Sequence, residues 1–462
     1  MKSGYSRCFS VGHTVFAKNL KQYAKIVREL KMNEKIKDLK NFNWRLWIAL
    51  CALGLIPAVY QTVKTFLISV NGPAEVFDII GQIEWFDLIN ETLQAFLIVP
   101  LYSILNKMLK HRKEQFAEST FKIGFASFIV YTLFSIVVLI YGSVLVSAMN
   151  PGEIDIYATS TYLKLETIAF MIGIMINLVN VVFVVIGKDK NVYIFLAIQT
   201  VLSVIADFVL IPSFSVYGVA ISNIIVNTIL AVVSFWLLHA GGHIKASWYK
   251  KNNISIFWEW CRVGVFSGIQ QFVDNFIYAV MICKMVNFVA EQGNYWIANN
   301  FIWGWLLIPI SALAEVIRSD CKEGYQNLKQ CNYYIIGGAV VIFWAVSIPG
   351  WTPFFRYVQN LSNATEIFEI VLKLSPFYIA YAGSVIIDSI FIGLGKTKYN
   401  AVNSFIINFI YYGVFYTLYL AKAIEFHMNT IIMMFGFGMV AHLIVSIIQE
   451  KMFFERSLLN TN

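Results

Sequence analysis

The sequence predicts an all-α polytopic membrane protein: twelve transmembrane helices in two parallel six-helix repeats that form two lobes. Three observations carry this. Of the 462 residues, 58% are hydrophobic and 13% charged, which a soluble chain of this size does not tolerate. Apolar runs recur that exceed the roughly 20 residues a bilayer-spanning helix needs. The second half also restates the first. Gly187-Lys188-Asp189-Lys190 is answered by Gly395-Lys396-Thr397-Lys398, Leu163-Lys164-Leu165 by Leu372-Lys373-Leu374, and Leu97-Ile98-Val99-Pro100 by Leu306-Leu307-Ile308-Pro309, always 208 or 209 residues on.

Residues 1–43 are polar and basic and read as a cytoplasmic segment without a signal peptide. The first lobe, 44–238, holds apolar runs at 44–70, 85–106, 121–147, 160–186, 191–211 and 216–238. The linker 239–257 carries His239 and His243 beside Gly241-Gly242, too few ligands for a metal. The second lobe, 258–450, repeats the plan at 258–285, 295–317, 332–354, 367–393, 400–420 and 428–450, and 451–462 forms a tail. Pro100 and Pro309 predict matching bends in helices two and eight. The aromatic start of helix eight (Tyr295, Trp296, Phe301, Trp303, Trp305) reads either as an interfacial belt or as the wall of a pocket.

Of 35 Lys and Arg, 29 fall in the N-terminal segment, the even-numbered loops and the tail. They lie on one face of the twelve-helix plan, which places both termini in the cytoplasm of a cell membrane protein. The net charge of +8 therefore points to lipid headgroups rather than nucleic acid. Six scattered cysteines show no metal or disulfide spacing. No nucleotide-binding, dinucleotide or nucleophile motif is present, so the expectation is a non-enzyme without cofactor, working as a monomer in the bilayer on a small organic substrate.

The stretch Ser203-Val-Ile-Ala-Asp207-Phe-Val-Leu-Ile-Pro212, followed by Tyr217-Gly218-Val-Ala220-Ile-Ser-Asn223, resembles helices five and six of the MATE (multidrug and toxic compound extrusion) transporters. The two Gly-Lys turns resemble that family's G-x-G-D-T-K turn after helices four and ten. The resemblance runs from about residue 44 to 450 and extends to the wider multidrug/oligosaccharidyl-lipid/polysaccharide exporter superfamily. It implies drug/cation antiport, driven by H+ or Na+, with cation-handling carboxylates inside the lobes. In the second lobe it implies Asp274, ten residues after Gly264. In the first it implies Asp207, with Ser203 at the usual Asn position and Asn223 near a usual Thr. At the helix-one Asp position this chain carries Lys64, and the family's helix-ten carboxyl falls at Gly383, with Asp388 five residues late.

A charge within a bilayer costs at least about 2.5–3.5 kcal/mol, so each intramembrane charge is a functional candidate. Lys64 is expected either to snorkel or to pair with Asp207, Glu91 or Asp274, standing where a cation would otherwise sit. Glu84, Asp87, Glu91 and Gln94 line one face of helix two and are expected to border an aqueous cavity, Glu84 and Asp87 alternatively lying among headgroups. Gln270, Gln271, Asn275 and Tyr278 flank Asp274, with Gln270, Gln271 and Tyr278 able to share its face, and Trp303 is a candidate for the substrate pocket. Lys164, Lys373 and Lys284 read as boundary anchors, and Glu166 and Glu315 as interfacial. The functional expectation is export of cationic amphiphiles by cation-coupled antiport. A flippase for an anionic lipid-linked or polysaccharide precursor is the alternative, and a transport-inactive membrane scaffold the third.

Overall fold

The computed structural model describes residue 39 and residues 42–459, apart from 74, 112, 151, 153, 246–253, 322–327, 329 and 426. Most of the N-terminal segment, the middle of the linker and the end of the tail lie outside the described residues. Every regular element among those described is helical. The elements group into twelve spans: α1 Trp44–Asn71; α2 Glu75–His111; α3 Phe116–Met149; α4 Ile156–Val185; α5 Asp189–Phe214; α6 Val216–Ala240; α7, built from Ile254–Tyr278, Ala279–Cys283 and Lys284–Phe288; α8, built from Gln292–Leu306 and Ile308–Asp320; α9 Gln330–Val358; α10 Ala364–Gly393; α11 Lys398–Leu420; and α12 Met428–Leu459. Ten of these are long and apolar enough to cross a membrane, eleven when the bent α8 counts as one span. The α7 segment continues unbroken to Phe288 and supplies the twelfth.

Local sequence sets the boundaries. Asn43 caps α1 by accepting the Leu46 amide (3.1 Å), and Asp155 caps α4 by accepting that of Ala158 (2.9 Å). The duplicated turn closes α4 and α10 in the same way. Gly187 and Gly395 adopt φ of 74° and 68°, a left-handed conformation that glycine enters without a Cβ penalty. The amides of Lys188 and Lys396 reach back five residues to the carbonyls of Phe183 and Phe391 (2.8 and 2.7 Å), the Schellman arrangement. The prolines act as expected: α2 breaks at Ile98 before Pro100, and α8 bends by 48° at Leu307 before Pro309.

Two seams join the first six spans to the last six: α1 packs along α8, and α2 along α7. Carbonyls at the two proline kinks are satisfied across them, Trp47 Nε1 donating to Pro309 O (3.0 Å) and Trp260 Nε1 to Leu97 O (2.9 Å). Gly264 lets α7 lie against α2 so closely that a Cβ there would collide with the Phe96 carbonyl. At the face away from the termini the halves also meet across the middle. The Gly293 amide donates to Asp78 Oδ1 (3.2 Å), Asn287 Nδ2 to Gln82 O (3.3 Å) and Ser69 Oγ to Gln359 O (2.8 Å).

The halves differ in one respect. Four π-helical turns, Ala279–Cys283, Ile302–Leu306, Phe354–Val358 and Ile406–Tyr411, all fall in the second half among the described residues. Such turns insert one residue and re-aim the side chains around them.

Candidate functional site

In the first half, α1, α4, α5 and α6 converge on two buried carboxylates. Asp207 (1% exposed) accepts the Tyr60 phenol at 3.0 Å through Oδ2. The hydroxyl of Ser222 stands beside this carboxylate as a further polar neighbour. Ser203 lies one turn before Asp207 and bonds Tyr60. Glu166 (5% exposed) takes Asn223 Nδ2 on both oxygens, at 3.0 and 3.2 Å, and also bonds the phenol of Tyr162. Lys64 reaches Glu166, Asp207 and Asp87 electrostatically without closing a contact ion pair among the described residues. Its field thus falls on Asp207 and on two acids not foreseen, Glu166 and Asp87, without a contact pair, whereas Glu91 and Asp274 bond to other partners. Glu166 is correspondingly not interfacial: it sits ten residues into α4, about 15 Å along the helix axis.

The acidic face of α2 borders open space. Asp87 and Glu91 are exposed although α2 is packed on both sides by other spans. Asp87 lies within electrostatic reach of Glu166, Glu84, Lys64 and Glu91, so it stands among the buried charges rather than among headgroups. Glu84 accepts Asn299 Nδ2 (3.1 Å), and Gln94 accepts Asn177 Nδ2 (3.0 Å). Rings of α8 and α10 pack together nearby, Glu84 being within electrostatic reach of Tyr378. Trp303, carried on a π turn and 45% exposed, packs edge-on against Tyr378 and Tyr381. Tyr278 and Tyr295 share a hydrogen bond (3.0 Å), and Glu84 lies within electrostatic reach of Tyr278, Tyr295 and Tyr378. Tyr295, Trp296 and Phe301 are buried, so the start of α8 is packed interior rather than an interfacial belt.

In the second half, Asp274 is held by α11, with Ser404 Oγ and Asn408 Nδ2 both donating to Oδ1. Asn408 lies on the Ile406–Tyr411 π turn, which brings its amide onto the same oxygen as Ser404 one turn away. The expected helpers on α7 turn away. Gln271 Nε2 donates to Asn275 (2.9 Å), and Asn275 donates to Leu88 O (2.8 Å), Thr92 Oγ1 (3.2 Å) and Glu91 Oε2 (3.4 Å), knitting α7 to α2. Tyr278 goes to Tyr295, and the Gln270 side chain lies outside the described residues. α7 offers one face to α2 and another to α11, and the adjacent residues Asn275 and Asp274 divide between them. Asp388, out of register with the family carboxyl, has partners of its own in His442 Nε2 (2.8 Å) and Ser446 Oγ (2.9 Å).

No family model and no curated protein matches this chain. Solved structures do. An inward-facing conformation of a multidrug resistance MATE family transporter of the MOP superfamily superposes with a TM-score of 0.71 at 15% identity, covering 90% of this chain and 99% of that one. An outward-facing conformation of a multidrug resistance MATE family transporter gives 0.64 at 16% identity, over 90% and 96%. A MOP superfamily transporter from Pyrococcus furiosus, described as having a binding pocket of reverse polarity, also gives 0.64 at 16% identity over 90% and 96%. The chain has the fold of these transporters over nearly its whole length.

Proposed function

We propose that this protein is a secondary active transporter that exports organic cations of amphiphilic character, in antiport with H+ or Na+, by alternating access between its two six-helix halves. One observation carries the reading. Asp87 and Glu91 are exposed on a helix that other spans pack against, and Glu84 of the same acidic face lies within electrostatic reach of Tyr378, on which Trp303 and Tyr381 pack. Carboxylates attract a cation, and aromatic faces take both its charge and its apolar body. The same observation disfavours an anionic precursor, for which the acids on α2 would be repulsive.

The contacts that join the halves away from the termini support a cavity shut on that side. With the basic, terminus-bearing face in the cytoplasm, this is the form that loads from inside. In the first half Lys64 supplies the positive charge that a bound cation would bring to Asp207 and Glu166. That leaves Asp274, whose donors are all neutral amides and hydroxyls, as the carboxylate free to exchange a coupling cation.

The test is export of tetraphenylphosphonium from proteoliposomes under a pH gradient and a sodium gradient applied separately. The expected result is efflux under one gradient, lost in Asp274→Asn. Asp87→Asn with Glu91→Gln should weaken the apparent affinity about tenfold, the effect of 1.4 kcal/mol. Efflux that ignores both gradients, or survives Asp274→Asn, would falsify the coupling.

A further inference from the structure

The polar face of α11 does more than hold Asp274. Asn400, Asn403, Ser404 and Asn408 recur at intervals of three, one and four residues, which places them along one side of the helix. Their partners lie at increasing depth from the terminus-bearing face. Asn400 Nδ2 donates to the Asp388 carbonyl (3.2 Å). Asn403 Nδ2 donates to the Ser446 hydroxyl (2.7 Å) and the His442 carbonyl (3.3 Å). Ser404 and Asn408 donate to Asp274. The Asp388–His442–Ser446 cluster and Asp274 are therefore strung on a single polar stripe.

His442 does not look at lipid. On α12 the exposed apolar side is formed by Phe437, Ile444, Ile447 and Ile448. At 100° per residue His442 stands about 160° around from Ile444, on the side of the buried Ser446 and Gln449. Its side chain is nonetheless 32% exposed and that of Asp388 18%. That exposure lies away from the lipid-facing apolar side of α12.

We infer that the His442–Asp388 pair is a proton-loading site that relays protons between the terminus-bearing face and Asp274 along the polar stripe of α11. The inference rests on Asp274 being the coupling carboxylate and makes the coupling ion a proton. A proton from solvent binds the neutral imidazole, and the Asp388 carboxylate holds the imidazolium so formed. The imidazolium gives an N–H proton, by way of the Ser404 hydroxyl or a water, to the Asp274 carboxylate, which becomes a carboxylic acid while His442 returns to neutral. No other bond is made or broken.

The groups around His442 are consistent with this. From α10 come Asp388 and, within electrostatic reach of it, Tyr381, which Arg318 of α8 also reaches while paired with Glu315. From α7 comes Asp274, within electrostatic reach of His442. From α11 come neutral Asn403, Ser404 and Asn408, with Tyr399 and Lys398 nearer its terminal end, where the Tyr399 carbonyl accepts Gln449. On α12 itself Glu450 lies two turns on and accepts Tyr334 (3.4 Å). No described lysine or arginine forms a contact ion pair with Asp388 or Asp274, so the pair and Asp274 are left to exchange protons.

Infrared difference spectroscopy on the purified full chain, stepped from about pH 8 to about pH 5, reads the relay without any substrate. The rising carboxylic-acid band of Asp274 is identified by its loss in Asp274→Asn. In His442→Gln that band is expected to rise about tenfold more slowly, and imidazole in the buffer to restore part of the rate. Asp388→Asn, which keeps the imidazole but removes its counter-ion, is expected to slow it too and provides the test should His442→Gln not fold. Wild-type rates in both variants, slowing that imidazole does not relieve in a folded His442→Gln, or a wild-type protein with no Asp274 band each overturn the relay. Failure of the export reading shows separately, as proteoliposomes that retain tetraphenylphosphonium while the Asp274 band behaves normally.

Discussion

Lys64 stands among three carboxylates that it does not touch, and its value lies in the field it supplies. Asp207 and Glu166 are almost wholly buried, and an ionised carboxylate out of water is costly unless compensated. Tyr60, Tyr162 and Asn223 provide hydrogen bonds; Lys64 provides the charge. Lys64→Met is therefore expected to destabilise the purified protein by about 3 kcal/mol, read as a lower melting temperature in detergent. The deficit should narrow as pH falls, because a proton can then replace the missing ammonium. A deficit unchanged down to about pH 5 would show that Lys64 acts through packing alone. Glu166 was legible from its depth in α4, yet its neighbour Lys164 marks a helix end, and two charges two residues apart read together as an interface.

At the scale of the element, α7 decides most. One face meets α2 through Gly264 and Asn275, and the other meets α11 through Asp274. Gly264→Leu is expected to cost about 1–3 kcal/mol by forcing α7 off the Phe96 carbonyl and to impair transport even though no charge changes. The measurements are detergent melting and tetraphenylphosphonium efflux; a variant normal in both would show the seam to be loose. Helices four, eight and ten are readable to within a few residues, because glycine turns, caps and prolines act within one or two turns of themselves, whereas helix two starts ten residues before its apolar run. The π turns are not readable. One extra residue per turn is a choice made by the helices packed around the segment, and nothing in Ile406–Tyr411 announces it.

For the whole molecule, the consequential contact is the closure away from the termini, where Asp78 meets the Gly293 amide. If transport requires this closure to open, Asp78→Cys with Gly293→Cys should form a disulfide under mild oxidation that stops efflux, and reductant should restore it. Efflux undiminished by a completed crosslink would mean that the halves do not part there. Trp47 and Trp260 tie each half to the kink of the other near the opposite face, so closure on one side and opening on the other would pivot about the two seams.

The sequence by itself determined the twelve spans, their duplication, the shared turns and kinks, and the set of charges placed in the membrane. Each of these is either local or periodic, and the cost of a charge in lipid makes every exception visible. Tertiary structure alone decided which charges meet. Asp274 and its donors on α11 are 130 and 134 positions apart, Asp388 and His442 54, and Lys64 shares its field with acids from three other helices. Helix faces are assigned by packing angle and by one-residue insertions, and a repeat carries no record of either. The two halves therefore share a scaffold, and the difference between a lysine in one and a lone carboxylate in the other, already visible in the sequence, acquires its partners only when the helices are packed.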